Sequence, residues 1–459
     1  MRILLSAYAC EPGRGSEPGV GWRWALEMAQ LGHEVWVLTR SNNRARIAAA
    51  RVPPNLQFLY CDVPRWAGWW KRGGRGVHLY YALWQWLALR RARRAHARIG
   101  FDVAQHLTFG VMRQASRLGA LGIPFVVGPV GGAERAPWAL RRHYSWRAWC
   151  VDALRDAANC AARWAPGVRG MFAAATLVLA KTPATLAWLP HTVRARALCA
   201  CQLEIGIDPP RLPARGTPAE RKPLRLVYVG RFLALKGMGL GLRALGVLAR
   251  AGVAFELTLI GQGPEAACWR AIAKEEGIAG RVTWIPWMSQ ASLFHAYQEF
   301  DAMLFPSLRD TSGNVVLEAL ARGLPVVCLD LGGPACMVTA RCGVVVPAAG
   351  RPEATVVEGL AMALRGLAVD PLRRAKLSAG ARARAGAFTW AAQVARVWGP
   401  EGLAVRVLAG AAMRATPAGR VPESRAHESC TQERRCPADA ATVATIEPVP
   451  GTGREPCGS

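Results

Sequence analysis

The chain has 459 residues, of which 52% are hydrophobic, so it is too long for one ordinary core and can fill two domains of about 200 residues each. Its formal net charge of +27 predicts attraction to polyanions such as nucleic acid, anionic lipid or phosphorylated substrates, without choosing among them. No stretch supplies about 18 uninterrupted apolar residues, and the 13 cysteines lack metal-ligand spacing, so we expect no membrane-spanning segment and a reducing compartment.

The chain begins with the pattern of a buried strand followed by a glycine-rich loop. Residues 3–7 predict the strand, and the loop at 10–21 carries several glycines before an apolar helix that we expect to begin near Trp22. These glycines miss the Gly-x-Gly-x-x-Gly spacing of a dinucleotide site, and no acidic residue follows the second predicted strand at 35–38. Both observations disfavour an enzyme that uses a nicotinamide cofactor.

Aromatic and basic residues are interleaved between residues 64 and 98, and we call this stretch the aromatic band. Such interleaving is typical of a membrane interface, where rings lie at headgroup depth and arginine meets lipid phosphate. It also suits single-stranded nucleic acid, or a core-packed helix at 77–89 with a solvated basic end. We expect an anionic membrane surface as the partner. The band contains Trp66, Trp69, Trp70, Tyr80, Tyr81, Trp84 and Trp86, with Lys71, Arg72, Arg75, Arg90, Arg91, Arg93 and Arg94.

Two later strand ends carry candidate polar side chains. His106 ends a predicted strand, where a histidine faces the crevice of an open sheet more often than one within a helix does. A buried, satisfied histidine is the alternative. Glu134 follows a buried strand and a glycine turn at 124–132, where its carboxylate can touch an acceptor hydroxyl or cap the next helix.

The second half of the chain repeats the alternation of strands and helices after a proline-rich interruption. Right-handed crossovers between parallel strands produce this rhythm, so the fold class is predicted to be α/β with a second parallel sheet. The predicted organisation is a first domain at 1–203, a linker at 204–223, a second domain at 224–398 and a low-complexity, disordered tail at 399–459.

The stretch at 305–334 carries the most specific pattern in the chain. Asp310 lies in a loop, and Glu318 lies in the opening turns of the helix that follows Gly313. The backbone N–H groups of Gly313, Asn314 and Val315 would point at a bound anion. Carboxylates that accept hydrogen bonds from hydroxyls, beside amides that hold a diphosphate, suit a sugar nucleotide. The structural alternative is that Glu318 favours the helix dipole and that Asp310 is an ordinary turn residue.

This stretch resembles the donor-site signature of the family 4 glycosyltransferases, also called glycosyl transferases group 1. Their Glu-x7-Glu motif precedes a Gly-x-Pro-Val-Val strand and a Gly-Gly turn. Here Glu318 is the second Glu, residues 323–327 are the strand and Gly332-Gly333 is the turn, whereas Asp310 replaces the first Glu and shortens its reach by one methylene.

Other residues match the same family in the same order along the chain, and the resemblance covers about residues 1–398. It implies a diphosphate clamp of Arg231 and Lys236, with a glycine turn beside the nucleotide. It also implies an acceptor-side glycine loop and a histidine near the donor sugar. The matching residues are Gly19, Gly21, His106, Arg231, Lys236, Gly261 and Gly263.

The resemblance implies two facing Rossmann-like domains, the GT-B arrangement, with acceptor on the first and donor on the second. It implies a retaining transfer of a hexose-type sugar, from a UDP- or GDP-sugar co-substrate and with no cofactor, to a glycan or lipid-linked acceptor of cell-surface polysaccharide or glycoconjugate synthesis. Catalytic roles would fall to His106, Asp310 and Glu318, and an acceptor role to Glu134. No Asp-x-Asp metal motif occurs. We expect no metal and no specific nucleic acid.

We expect a cytoplasmic protein at the inner face of the membrane. Two rival functions stay open at the sequence level. One is a non-catalytic peripheral binding protein on a degenerate sugar-nucleotide fold. The other is an isomerase or hydrolase of nucleotide sugars with the same architecture.

Overall fold

The computed structural model describes residues 1–68, 70, 76–208 and 223–415. The strands are β1 (Arg2–Ser6), β2 (Glu34–Thr39), β3 (Leu56–Tyr60), β4 (Val103–His106), β5 (Phe125–Val130), β6 (Leu177–Ala180), β7 (Leu198–Cys201), β8 (Leu224–Val229), β9 (Phe255–Ile260), β10 (Val282–Ile285), β11 (Ala302–Phe305), β12 (Val326–Leu329) and β13 (Gly343–Val346). The helices are α1 (Ser16–Gln30), α2 (Arg44–Ala48), α3 (Arg65–Gly68), α4 (Val77–Ile99), α5 (Trp146–Ala162), α6 (Pro166–Ala173), α7 (Pro183–Trp188), α8 (His191–Arg196), α9 (Met238–Arg250), α10 (Ala266–Glu275), α11 (Gln290–Ala296), α12 (Asn314–Ala321), α13 (Gly332–Met337), α14 (Glu353–Val369), α15 (Pro371–Gly386), α16 (Trp390–Trp398) and α17 (Leu403–Ala415).

The described strands form two parallel sheets. The first has the order β3-β2-β1-β4-β5-β6-β7 and the second has the order β10-β9-β8-β11-β12-β13. Every pairing between strands is parallel. In each sheet the strand order reverses next to the first strand, between β1 and β4 and between β8 and β11. Ligands bind outside the carboxyl ends of strands at such reversals.

Alternate residues of β1 show why the strands are continuously apolar. Leu4 packs into the core on the α4 side of the first sheet, whereas Ile3 and Leu5 pack on the α1 side. Successive side chains of a strand point to opposite faces, so helices on both faces require apolar residues at every position. The predicted fold class, α/β with two Rossmann-like sheets, is confirmed.

The glycines at 19 and 21 lie inside helix α1 and not in the preceding loop. The helix begins at Ser16, earlier than the predicted start near Trp22. Both glycines are buried, and a Cβ atom at Gly19 would lie 2.2 Å from the Arg14 carbonyl oxygen. At Gly21 it would lie 2.1 Å from the Ala9 carbonyl oxygen. The expected acceptor-side role is corrected: these glycines let the helix pack against the loop backbone.

The aromatic band is mostly part of a core helix. Tyr80, Tyr81 and Trp84 are buried on the inner face of α4, whereas Trp66 and Trp86 are exposed. The Arg117 guanidinium lies over the Trp86 ring, at 3.4 Å from its centroid. The structure thus contains the core-packed helix that the sequence offered as an alternative, and contact of the band with a membrane stays a prediction. Band residues 69 and 71–75 lie outside the described residues.

The chain returns from the second sheet to the first through its last described helices. Val394, Val397 and Trp398 of α16 lie in the core on the α1 side of the first sheet. The Trp398 Nε1 donates a hydrogen bond of 2.8 Å to the Gln105 side chain. The low-complexity tail predicted from residue 399 is corrected for its first part, because α17 forms there and Leu403 packs on the same core.

Residues 416–459, and the part of the predicted linker at 209–222, lie outside the described residues. None of the helices that the structure describes is long and apolar enough to cross a bilayer.

A glycine-to-alanine pair tests the packing of α1. Gly21→Ala should lower the free energy of unfolding by about 1–3 kcal/mol, because the new methyl group has no room beside the Ala9 carbonyl. Gly170→Ala is the matched control, since it lies in α6 with nothing within 4 Å of the added carbon. The control should match wild type or gain up to about 1 kcal/mol from helix propensity. Urea denaturation measures both, and equal stability of the two variants would contradict the packing role.

Candidate active site

A cavity of about 410 Å³ opens at the carboxyl ends of β8 and β11, between the two sheets. This volume lies within the range of ligand pockets, about 300–1,000 Å³. The second-sheet side contributes Val229, Gly230, Arg231, Lys236, Phe305, Asp310, Ser312, Gly313, Asn314 and Val315. The first-sheet side contributes Ser16, Glu17, Val20, Lys181, Glu204 and Ile205. We call this cavity the cleft.

Asp310 and Lys236, both predicted to bind the donor, form an ion pair in the wall of the cleft. The Lys236 Nζ lies 2.5 Å from one Asp310 carboxylate oxygen. The other oxygen accepts hydrogen bonds from the backbone N–H groups of Ser312 at 3.3 Å and Gly313 at 3.0 Å. Asp310 therefore places Lys236 beside the start of α12 and holds the backbone that leads into that helix.

The start of α12 offers fewer anion-binding amides than predicted. Gly313 has a left-handed backbone, with φ of 76°, which turns the chain from the loop into the helix. Its N–H already donates to Asp310 and is not available to a ligand. Asn314 and Val315 follow in the first turn of the helix and line the cleft, so their N–H groups remain for an anion.

Arg231 lies in the cleft on a loop that two predicted glycines support. A Cβ atom at Gly261 would lie 2.0 Å from the Gly230 carbonyl oxygen, and one at Gly263 would lie 2.3 Å from the Phe232 carbonyl oxygen. These glycines let the loops after β8 and β9 pack backbone to backbone. Arg231 is exposed, and its guanidinium has no hydrogen bond or ion pair with any residue that the structure describes.

Glu318 lies beside the cleft and does not line it. Its Oε1 accepts a hydrogen bond of 3.2 Å from Gln290 at the start of α11. Burial raises the pKa of Glu318, and Gln290 and Arg322 oppose that shift. The carboxylate is thus partly desolvated while one of its oxygens bonds to Gln290.

His106 is buried beneath the site. The residue ends β4 as predicted, but its side chain is fully buried and outside the cleft lining. Neither ring nitrogen bonds to a described side chain or backbone group. Burial lowers the pKa of His106 to about 4. The structure does not bring this imidazole to the donor residues, which corrects the expectation that it faces the crevice.

Glu134 joins the two sheets and does not face an acceptor. Its carboxylate is buried and accepts hydrogen bonds from the hydroxyls of Thr182 at 2.6 Å and Thr185 at 2.9 Å, both at the start of α7. It also accepts a hydrogen bond of 2.9 Å from the Thr311 hydroxyl, which lies next to Asp310 in the loop before α12. The predicted acceptor contact is corrected, because these hydroxyls and the Gly132 N–H occupy both oxygens.

Three charged residues of the cleft were not predicted from the sequence: Glu17, Lys181 and Glu204. Lys181 Nζ lies 2.7 Å from Glu204, and Glu204 also accepts a 2.7 Å hydrogen bond from the Ser312 hydroxyl. Burial lowers the pKa of Lys181, but Glu204, with Glu17 and Glu134, outweighs burial, so the pKa is raised and the amine stays charged. Lys181 directly follows β6 and Glu204 lies shortly after β7, and these positions were the available signal for both, since strand ends meet at one edge of a sheet.

Glu17, in the cleft lining, holds the strained backbone of Phe109. Its carboxylate accepts hydrogen bonds from the N–H groups of Phe109 at 2.5 Å and Gly110 at 3.2 Å. Ser16 and Phe109 both have positive φ, at 61° and 60°, which is uncommon for residues with a side chain. Strain of this kind persists where the surrounding structure holds it, and it clusters at functional sites.

A buried cluster of charges holds the loop at 306–313, which we call the donor loop. Arg309 ion-pairs with Asp152 and lies 3.7 Å from Asp156, both on α5. Arg141 completes the cluster, at 3.3 Å from Asp152 and 2.7 Å from Asp156. All four side chains are buried. The donor loop of the second sheet is thereby fixed to the first-sheet half of the molecule.

Part of the chain, which includes the second sheet, matches a known protein family. Residues 223–366 match the family model described as Glycosyl transferases group 1. The chain is similar to the amylovoran biosynthesis glycosyltransferase AmsK of Erwinia amylovora, with 30% identity over 135 residues, which are 28% of this chain and 33% of that protein. The match thus spans about a third of that relative's length.

Two solved structures share the whole architecture. Sucrose-phosphate synthase from Thermosynechococcus elongatus superposes with a TM-score of 0.58 at 18% identity, covering 89% of this chain and 99% of that chain. The HepE protein of Anabaena, in complex with UDP, superposes with a TM-score of 0.53 at 14% identity, covering 86% and 98%. At these identities the likeness shows the fold, and the predicted GT-B arrangement is confirmed.

Removing one charge from the buried cluster should destabilise the folded protein. Arg309→Ala leaves Asp152 and Asp156 short of a counter-charge, so we expect the free energy of unfolding to fall by about 3–5 kcal/mol. Arg250→Ala is the matched control, because Arg250 pairs with Glu276 at the surface, with 63% of its side chain exposed. The control should lose less than about 1 kcal/mol. Chemical denaturation compares them, and a similar small loss in both would contradict the structural role of the cluster.

The burial of His106 predicts a specific pH dependence of stability. The pKa of His106 is lowered from 6.5 to about 4, so the unfolded chain binds a proton between these values that the folded chain does not. Stability is therefore fully present above pH 6.5 and is lost as the pH falls towards 4. Over this interval wild type should lose up to about 3 kcal/mol more than His106→Leu, which cannot titrate. An equal loss of unfolding free energy in wild type and His106→Leu would contradict a buried, neutral His106.

Proposed function

Because residues 223–366 form a glycosyl transferases group 1 domain, we propose that the chain transfers a sugar from a nucleotide-sugar donor to an acceptor hydroxyl. The observation that carries the proposal is the cleft itself. It places Arg231, Lys236 and the first N–H groups of α12 together at the carboxyl ends of β8 and β11. Cations and a helix N-terminus at one point suit a diphosphate.

A few residues would bind the donor, each with a different role. Arg231 and Lys236 supply positive charge to the diphosphate, and Asn314 and Val315 donate backbone hydrogen bonds to it. Asp310 keeps Lys236 in place and offers a hydrogen-bond acceptor to sugar hydroxyls. Glu318, beside the cleft, accepts from a ribose hydroxyl. HepE was solved with UDP, so UDP-sugars are the first donors to test, followed by GDP-sugars.

The acceptor enters from the first-sheet side of the cleft, where Glu17, Lys181 and Glu204 form the wall. The acceptor class that we propose is a glycan or a lipid-linked saccharide, because polar and charged groups suit hydroxyl-rich molecules. We expect a hexose-type sugar and a role in polysaccharide or glycoconjugate synthesis, as in the resembling family.

The chemistry that we propose retains the configuration at the anomeric carbon. The acceptor oxygen forms a bond to that carbon on the face from which the diphosphate leaves, and the proton of the acceptor passes to a diphosphate oxygen. Asp310 lies in the wall of the cleft and is already bound to Lys236 and to the backbone before α12. Its carboxylate is therefore poorly placed as a covalent nucleophile. The protein's part is to hold the leaving group and stabilise its charge.

A lysine-to-alanine pair tests the donor site. Lys236→Ala should raise the donor KM by about tenfold to a hundredfold, because a charge-assisted contact worth about 1.5–3 kcal/mol is lost. The acceptor KM should change little. Lys274→Ala, an exposed lysine in the last turn of α10, is the matched control and should leave both constants unchanged.

The assay follows labelled sugar from UDP- and GDP-sugars into product, with and without a glycan or lipid extract as acceptor. Equal effects of Lys236→Ala on donor and acceptor would contradict the assignment of the clamp. If labelled sugar is released as free sugar and neither acceptor extract lowers that amount, the activity is hydrolysis and not transfer.

A further inference from the structure

Helix α5 exposes its apolar residues and buries its acidic ones, which reverses the usual arrangement of a surface helix. Asp152, Asp156 and Asn159 face inward, whereas Val151 and Leu154 are exposed to solvent. The inward side chains are occupied: the two aspartates hold Arg309 and Arg141, and Asn159 bonds to Arg113 and the Gly132 carbonyl. The outward face is therefore the apolar one, and nothing in the described chain covers it.

Exposed indoles extend this apolar face beyond both ends of the helix. Large apolar surface patches on a folded protein mark sites of protein or membrane contact. At the start of α5, Trp138 and Trp149 lie with their rings 6.0 Å apart. We call the whole surface the α5 face. Its exposed apolar residues are Trp138, Trp146, Trp149, Val151, Leu154 and Trp164.

Basic residues surround the α5 face. Arg142 and Arg147 are exposed near its start, and both acidic residues of the helix point inward, so the helix presents no negative charge outward. At its end the surface continues into a cavity of about 810 Å³ that has no acidic residue in its lining. The charged and aromatic residues of that lining include Arg163, Trp164, Arg169, Trp188, Arg194 and Arg196.

We propose that the α5 face binds an anionic membrane surface. Indoles prefer the headgroup region of a bilayer, and arginines beside them contact lipid phosphates while their stems lie along apolar surface. A second copy of this chain fits less well, because the face would meet an equally basic partner in a protein with a net charge of +27. The surface differs from the aromatic band, and membrane binding here does not depend on sugar transfer.

Helix α5 carries the α5 face on its outer side and holds the donor loop with its inner side. The outward residues would contact lipid, and the inward Asp152 and Asp156 hold Arg309, the residue before Asp310. An acceptor carried by a membrane would therefore meet a cleft whose donor loop is fixed to the docking helix. This consequence rests on the proposed function, whereas docking itself does not.

Vesicle flotation with the full chain tests the proposal. Wild type should float with vesicles of phosphatidylcholine and phosphatidylglycerol at low salt, and should bind pure phosphatidylcholine weakly. Trp146→Ser with Leu154→Ser removes two residues that are 72% and 70% exposed, and should lower binding by at least about tenfold. The reversal Arg142→Glu with Arg147→Glu should weaken binding to anionic vesicles only.

A double variant on the second-sheet half is the matched control. Trp287→Ser with Leu372→Ser removes an indole and a leucine that are 74% and 73% exposed, and should float as wild type does. Thermal melting and UDP-sugar binding on the same preparations show that each variant is folded. Loss of flotation with retained nucleotide binding supports the α5 face as a docking surface.

Three outcomes would overturn the proposal. One is wild type that binds no vesicles, and another is equal loss in the α5 and control variants. The third is a wild-type dimer on gel filtration that the α5 variant alone converts to a monomer, which would make the face an interface between copies. Absence of sugar transfer by a wild-type protein that floats would instead count against the proposed function only.

Discussion

The donor loop is held between the two sheets by a buried pair of arginines and a buried pair of aspartates. Desolvated charges are costly unless each is paired, so Arg309 has few alternatives to its place against Asp152 and Asp156. Arg141 balances the remaining negative charge from the first-sheet side. Because Arg309 directly precedes the donor residues, this constraint fixes where their side chains can reach. The geometry of the cleft depends on it.

The residues that follow Arg309 each hold a different part of the molecule. Asp310 holds Lys236 and the Gly313 backbone before α12, Thr311 bonds to Glu134, and Ser312 bonds to Glu204. A short loop thus connects Lys236, Glu134 and Glu204. Glu134, predicted from the sequence to touch substrate, instead fixes this loop. This arrangement makes the cleft a preformed site, in which charge is oriented before a ligand binds.

Local patterns predicted the two-sheet fold, most of its strands and several residues of the cleft lining, such as Arg231 and Lys236, because apolar periodicity and the ends of strands can be recognised from neighbouring residues. The features that local patterns did not predict depend on packing between residues far apart along the chain. Gly19 and Gly21 were taken for a ligand loop, although backbone carbonyls brought close by folding are what require them. Burial of His106 and the inward aspartates of α5 follow from neighbours far along the chain. The position of Glu204 after β7 was a local signal, but its hydrogen bond with Ser312 joins residues far apart along the chain.

The central claim is that the charge cluster, which lies outside the cleft, sets the donor site. The most direct test is calorimetric binding of the UDP- or GDP-sugar that wild type prefers to folded Asp152→Asn. Asp152 contacts Arg309 and Arg141 and does not line the cleft, so it can act on the ligand only through the donor loop. We predict an affinity lower by about tenfold, a loss of about 1.4 kcal/mol. Unchanged affinity in a variant that melts as a folded protein would contradict the account.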